Sequence, residues 1–116
     1  MRKNFFLTYG SLHDKYSLKD ILEQMFDFDF KKHDSLYWGE YFKYSGLYAD
    51  QIKIFSNQIC SPYEDLISAE NKHLCTIIKI SITEGKNKDK LSKYKFIKKL
   101  IPHHLAELLK DELVSE

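Results

Sequence analysis

The stretch S-L-Y-W-G-E-Y-F-K-Y-S-G-L-Y-A-D-Q-I-K-I-F-S-N, residues 35–57, decides how this chain folds. Its first half is dense in Tyr, Trp and Phe, and Q-I-K-I-F-S in its second half alternates polar with apolar residues; both are strand signatures. A turn at Ser45-Gly46 or at Ala49-Asp50 closes the two strands into a hairpin. Tyr37 to Tyr44 alone holds five rings in eight residues, including the only Trp of the chain. Successive strand residues point to opposite faces, so Tyr37, Gly39, Tyr41 and Lys43 share one face and Trp38, Glu40, Phe42 and Tyr44 the other. A sheet with one buried face needs only one of these sets. Trp38 and Phe42 are expected to pack the core through cross-strand aromatic contacts. The tyrosines, with Tyr48 from the next strand, are expected to remain at the surface as anchors for a partner.

Outward from the hairpin, the chain reads as one α+β domain over residues 1–116. Phe5 to Tyr9 is a first strand ended by Gly10-Ser11. Ser17 reads as a helix N-cap with Asp20 in the first turn, and Leu18, Ile21, Leu22, Met25 and Phe26 form a helical stripe. D-F-D-F-K-K suits a loop or the entry to a strand. Beyond the hairpin, Cys60-Ser61-Pro62 breaks the pattern, and Pro62 to Asn71 reads as a loop with a helical turn. His73 to Thr83 is the clearest strand. E-G-K-N-K-D-K is a turn in which Asp89 caps a basic helix carrying Phe96, Ile97, Leu100 and Ile101. The apolar period continues through Leu105, Leu108, Leu109 and Leu113, so residues 91–113 read as helical. Pro102 leaves two options open, one bent helix or two helices. The order β-α-β-β-β-α predicts a mostly antiparallel sheet of about four strands with helices on one face.

Composition narrows the function classes. At 116 residues with 43% hydrophobic and 30% charged content, the chain builds a real core without disulfides or metals. A net charge of +1 gives no overall polyanion or polycation partner. Cys60 and Cys75 read as a reduced pair. The apolar run at Phe5–Leu7 is too short for a signal peptide and nothing approaches a membrane span, which points to a cytoplasmic protein, a monomer or weak dimer.

Chemistry is hard to place. No phosphate-binding glycine loop and no nucleophile elbow occurs. His103 and His104 are adjacent and diverge on a helix. His73 and Cys75 share a strand face but amount to half a zinc site. His13-Asp14 and His33-Asp34 are loop pairs lacking a third group. The expectation is a non-enzyme with no metal or cofactor. Charge is segregated, however. Lys79 to Lys99 carries eight lysines against two carboxylates, whereas Asp14 to Glu70 carries eleven carboxylates against six lysines. Lys93, Tyr94, Lys95, Lys98 and Lys99 would form a nucleic-acid-binding helix face as an alternative, although Lys in place of Arg weakens that case. Tyr37, Glu40, Tyr41, Tyr44, Tyr48 and Asp50 are the candidate residues for binding a protein, their carboxylates suiting a basic partner.

S-L-Y-W-G-E-Y-F feeding I-K-I-F-S-N, together with the order of elements, resembles the small immunity proteins of bacterial contact-dependent growth inhibition and related polymorphic toxin systems. That resemblance implies a cytoplasmic protein that binds a cognate toxin domain, often a nuclease, and occludes its active site. It carries no motif from which individual residues can be assigned.

Overall fold

In the computed structural model the described residues are 1–36, 39–57 and 73–115. They form β1 (Lys3–Ser11), α1 (Lys15–Met25), β2 (Lys31–Ser35), β3 (Gly39–Tyr44), β4 (Gln51–Ser56), β5 (Thr76–Ile82), α2 (Asn87–Leu100) and β6 (Glu107–Ser115). The α+β class with one antiparallel sheet is as expected. The sheet has six strands rather than about four, in the order β2-β3-β4-β5-β1-β6, and every adjacent pair is antiparallel. The expected loop at 62–71 lies outside the described residues, as do Tyr37 and Trp38.

Strand periodicity builds the core. Phe5, Leu7 and Tyr9 of β1 stand opposite Ile82, Ile80 and Ile78 of β5, and Ile80 and Ile78 stand opposite Ile52 and Ile54 of β4. The row continues to Tyr44 and Phe42 of β3. All of these side chains are buried in one cluster with Leu18 and Leu22 of α1 and Ile97 of α2, so both helices lie on this face. Ring contacts reinforce the join: Phe5 stacks on Tyr94 at 4.6 Å and Tyr16 meets Phe42 edge-on at 5.7 Å.

Helix α1 begins earlier than the sequence suggests. Its N-cap is Asp14, whose Oδ1 accepts from the amides of Tyr16 and Ser17 at 2.9 Å each. A carboxylate reaching two orphan amides is the stronger cap, and Ser17 falls inside the first turn. Asp89 likewise sits in the first turn of α2 rather than capping it; the cap residue is Lys86, which makes no side-chain cap bond.

Strand β2 was legible only as a strand entry, because K-K-H-D-S lacks apolar alternation. It is an edge strand exposed along most of its length, where lysines and charge discourage pairing with another chain. The preceding Phe28 and Phe30 are what anchor it, both buried in the core.

The largest departure is at the C-terminus. Helix α2 stops at Leu100, and Ile101 is extended (φ −86°, ψ 109°), as a residue before proline should be. Residues 107–115 then form a strand along β1, pairing Lys3 with Ser115 and Gly10 with Glu107 across a bulge between Thr8 and Tyr9. The helical period of Leu105, Leu108, Leu109 and Leu113 is overridden by the otherwise open hydrogen-bonding edge of β1. Gly10 has a packing reason: a Cβ there would collide with the side chains of Leu74 and Leu109.

Leu18 is 0% exposed in the core whereas Leu36 is fully exposed (103%). Leu18→Ala is therefore expected to lower unfolding free energy by about 2–5 kcal/mol, and Leu36→Ala by less than about 0.5 kcal/mol, in urea denaturation.

Candidate functional site on the sheet face opposite α1 and α2

The residues expected to bind a partner are not brought together, because strand alternation divides them. Glu40 faces the helices. Tyr16 donates its hydroxyl to Glu40 Oε1 at 2.6 Å, Lys32 pairs with Oε2 at 3.1 Å, and Lys15 donates to the Glu40 carbonyl at 2.7 Å. Those hydrogen bonds, that of Tyr16 foremost and then that of Lys32, hold the Glu40 carboxyl below its ordinary pKa. This carboxylate ties α1 to the sheet. Tyr44, expected at the surface, is buried (7% exposed) against Phe28 and Phe30, and burial pushes its phenol pKa up. Tyr48 stacks on Phe96 of α2 at 5.7 Å and meets Phe28 edge-on at 5.0 Å. Asp50 Oδ2 accepts from the amides of Thr83 and Glu84, closing the turn after β5. Of the described members of that set, only Tyr41 faces the side away from α1 and α2. There it stacks on His33 (5.5 Å, 19°) and lies against Phe55 (5.1 Å).

The alternative basic helix is also partly used internally. Tyr94 donates to Asp111 Oδ2 at 2.6 Å, and Lys98 donates to the same oxygen at 2.9 Å and to the Tyr94 hydroxyl at 3.2 Å. Burial pushes the Asp111 carboxyl up, but the bonds from Tyr94 and Lys98 outweigh it and leave its pKa below normal. This node fastens β6 to α2. Lys93, Lys95 and Lys99 make no ion pair among the described residues.

No group of three or more His, Cys, Asp or Glu side chains among the described residues is placed to hold a metal. His73 and Cys75 are both exposed ahead of β5. His13, His103 and His104 rim a shallow hollow of about 150 Å³ beside Ser11. The Ser11 hydroxyl is already engaged, donating to the Leu105 carbonyl at 2.7 Å and accepting from the His13 amide at 3.1 Å.

The feature that sequence reading missed lies across the sheet. Lys31 is paired with Lys43, Lys43 with Lys53, and Lys53 with Lys79; Lys79 then stands opposite Thr8, and Thr8 opposite Lys110. Five lysines thus occupy one transverse row over six strands, on the face away from α1 and α2. Tyr41, His33 and Phe55 form the adjacent aromatic row. Like charges directly opposite each other destabilise a sheet, and here three such pairs adjoin. Lys31 has a salt bridge to Asp29 at 3.2 Å and Lys110 one to Glu112 at 2.7 Å. Lys43 and Lys53, in the middle, have no ion pair or side-chain hydrogen bond among the described residues. A signal existed: F-K-Y at 42–44, I-K-I at 52–54 and I-K-I at 78–80 each place one lysine between apolar neighbours. Only the register shows that they align.

The class defined by the fold is an α+β domain whose single antiparallel sheet carries α1 and α2 on one face. Compared with protein-family models, curated proteins and solved structures, the chain matches none.

Two measurements check these contacts. Lys53→Glu replaces two repulsions with attractions and is expected to raise unfolding free energy by about 1 kcal/mol at low salt. Asp111 has a lowered folded-state pKa, so its stabilisation is present above the unfolded carboxylate pKa and is lost as pH falls through the folded value. Asp111→Asn is accordingly expected to destabilise the fold at neutral pH and to differ little from the parent near pH 2, read by thermal melts across that range.

Proposed function

We propose that this chain is a non-enzymatic immunity-type protein, which binds a cognate toxin domain and neutralises it by covering the active site or the path to it. The observation that carries this reading is the lysine row with its unpaired centre at Lys43 and Lys53, flanked by Tyr41 and His33. The fold bears a repulsion that an anionic surface on another molecule relieves. Tyr41 supplies ring area beside the charges, as interface anchors do. The rest of the expected set does not join this face: Glu40, Tyr44 and Tyr48 are engaged on the helix side and Asp50 in the turn after β5.

The test is co-expression with a toxin domain encoded beside this chain. Growth rescue and a stoichiometric complex are expected, with Lys43→Glu/Lys53→Glu weakening the complex at least tenfold while the variant stays folded. A toxin that kills regardless of the chain, with no complex, removes the proposal. A second reading, a small nucleic-acid-binding module, draws on Lys93, Lys95 and Lys99, which lie on the helix side with no carboxylate partner among the described residues. It requires binding to RNA or DNA that falls steeply with salt, and no mobility shift at low salt disposes of it.

A further inference from the structure

We infer that the outer edge of β6 pairs antiparallel with the same edge of a second copy of this chain, about a twofold axis at Asp111 that sets Lys110 of each copy opposite Glu112 of the other. The contact uses neither Lys43 nor Lys53 and holds whether or not a toxin is the partner of this chain.

Strand β6 ends the sheet, and among the described residues no strand lies beyond it. Its outward amides and carbonyls are a template for another strand. Every residue from Glu107 to Ser115 except Leu109 and Glu112 is exposed, so nothing covers this edge. Three of the exposed side chains are large and apolar: Leu108, Leu113 (53% exposed) and Val114. The opposite edge, β2, reads K-K-H-D-S; it has no apolar side chain to bury, and its Lys32 is held by Glu40. Of the two edges, β6 is the one that gains from being covered.

The order of its residues selects the occupant. Directly opposite residues of an antiparallel pair share a face. Leu108, Asp111 and Leu113 stand opposite Tyr9, Leu7 and Phe5, on the helix side, whereas Lys110 and Glu112 stand opposite Thr8 and Phe6, on the other. The bulge absorbs Leu109, which leaves Leu108 one step from Lys110 along the ladder. Counted outward from Asp111, Lys110 then answers Glu112 on one face and Leu108 answers Leu113 on the other. Only the two Asp111 carboxylates are opposed. Each accepts from Lys98 at 2.9 Å and from Tyr94 at 2.6 Å, so an ammonium accompanies each of them to the axis.

Lys110 and Glu112 already pair within the strand at 2.7 Å, both well exposed, and such a pair is worth little in water. Across the axis it becomes a square of alternating charges, each ammonium between two carboxylates, with opposed Cα atoms about 4.5–5.5 Å apart. Centring the axis on Lys110 or on Glu112 instead opposes Lys to Lys or Glu to Glu, so charge selects one register. A foreign strand of a single charge sign matches only half of the pattern.

The experiment follows the full chain by sedimentation equilibrium over a wide range of concentration at low salt. A reversible dimer without larger species is expected, as a closed isologous contact requires. Lys110→Glu opposes Glu to Glu and Glu112→Lys opposes Lys to Lys, so each variant alone should weaken the dimer about tenfold or more. An equimolar mixture of the two restores opposite charges at both positions and should recover the dimer, as should the swap Lys110→Glu/Glu112→Lys within one chain. Lys43→Gln/Lys53→Gln should leave it unchanged. Should either reversal unfold the chain by circular dichroism, the isosteric Lys110→Gln/Glu112→Gln supplies the same reading, and an unchanged dimer there overturns the inference. So does a parent chain that stays monomeric at every concentration, a dimer that survives both single reversals, or a mixture of folded variants that stays monomeric.

Discussion

Strand β1 holds this molecule together. It pairs antiparallel with β5 on one side and β6 on the other, and turns Phe5, Leu7 and Tyr9 into the core beneath the helices. The stack of Phe5 on Tyr94 attaches α2 to the same strand. Its other side chains alternate toward the face opposite α1 and α2, where Thr8 continues the lysine row. Two sheet neighbours and α2 therefore meet at these nine residues, and each face of the sheet acquires its character from the parity that β1 sets.

The two faces are built on opposite principles. On the helix side the carboxylates are well engaged: Glu40, Asp50 and Asp111 each receive two or more donors, and the ring cluster around Phe28 leaves Tyr44 little contact with water. The other side carries Lys43 and Lys53, which make no ion pair among the described residues. The sheet thus engages these three carboxylates on one side and aligns lysines on the other, of which Lys31 and Lys110 are paired with carboxylates. The aromatic surplus of residues 37–48 plays a smaller part than its density suggests, since Tyr44 and Tyr48 pack against the chain's own rings.

Much of the fold was legible. The β3–β4 hairpin, β5, α1 and the one-sided placement of helices follow from period and composition. Strand β6 did not, because K-D-E-L-V-S-E and the leucines before it satisfy a helical period, and only the vacant edge of β1 decides otherwise. Strand β2 was hidden because an exposed edge strand needs no apolar alternation. The site was legible only in pieces. Tyr41 could be named from ring density and the lysines from their apolar neighbours, but alignment across strands depends on register, which turns and long-range pairing fix. Glu40 and Asp50 were misjudged for the opposite reason: a carboxylate near a hairpin looks free until the donors that reach it, Tyr16 and Lys32 or the amides at 83 and 84, are located in space.

The pairing of Lys3 with Ser115 has a kinetic side. During synthesis β1 is made early, yet both of its neighbours in the sheet arrive late, and the last of them only when residues 107–115 leave the ribosome. Until then its apolar side chains and unpaired amides stand open, and closing so long a loop is slow. The nascent chain therefore passes through an interval of stickiness governed by translation speed, and a holdase that shelters this first ribbon would raise the yield of folded protein without altering its final stability.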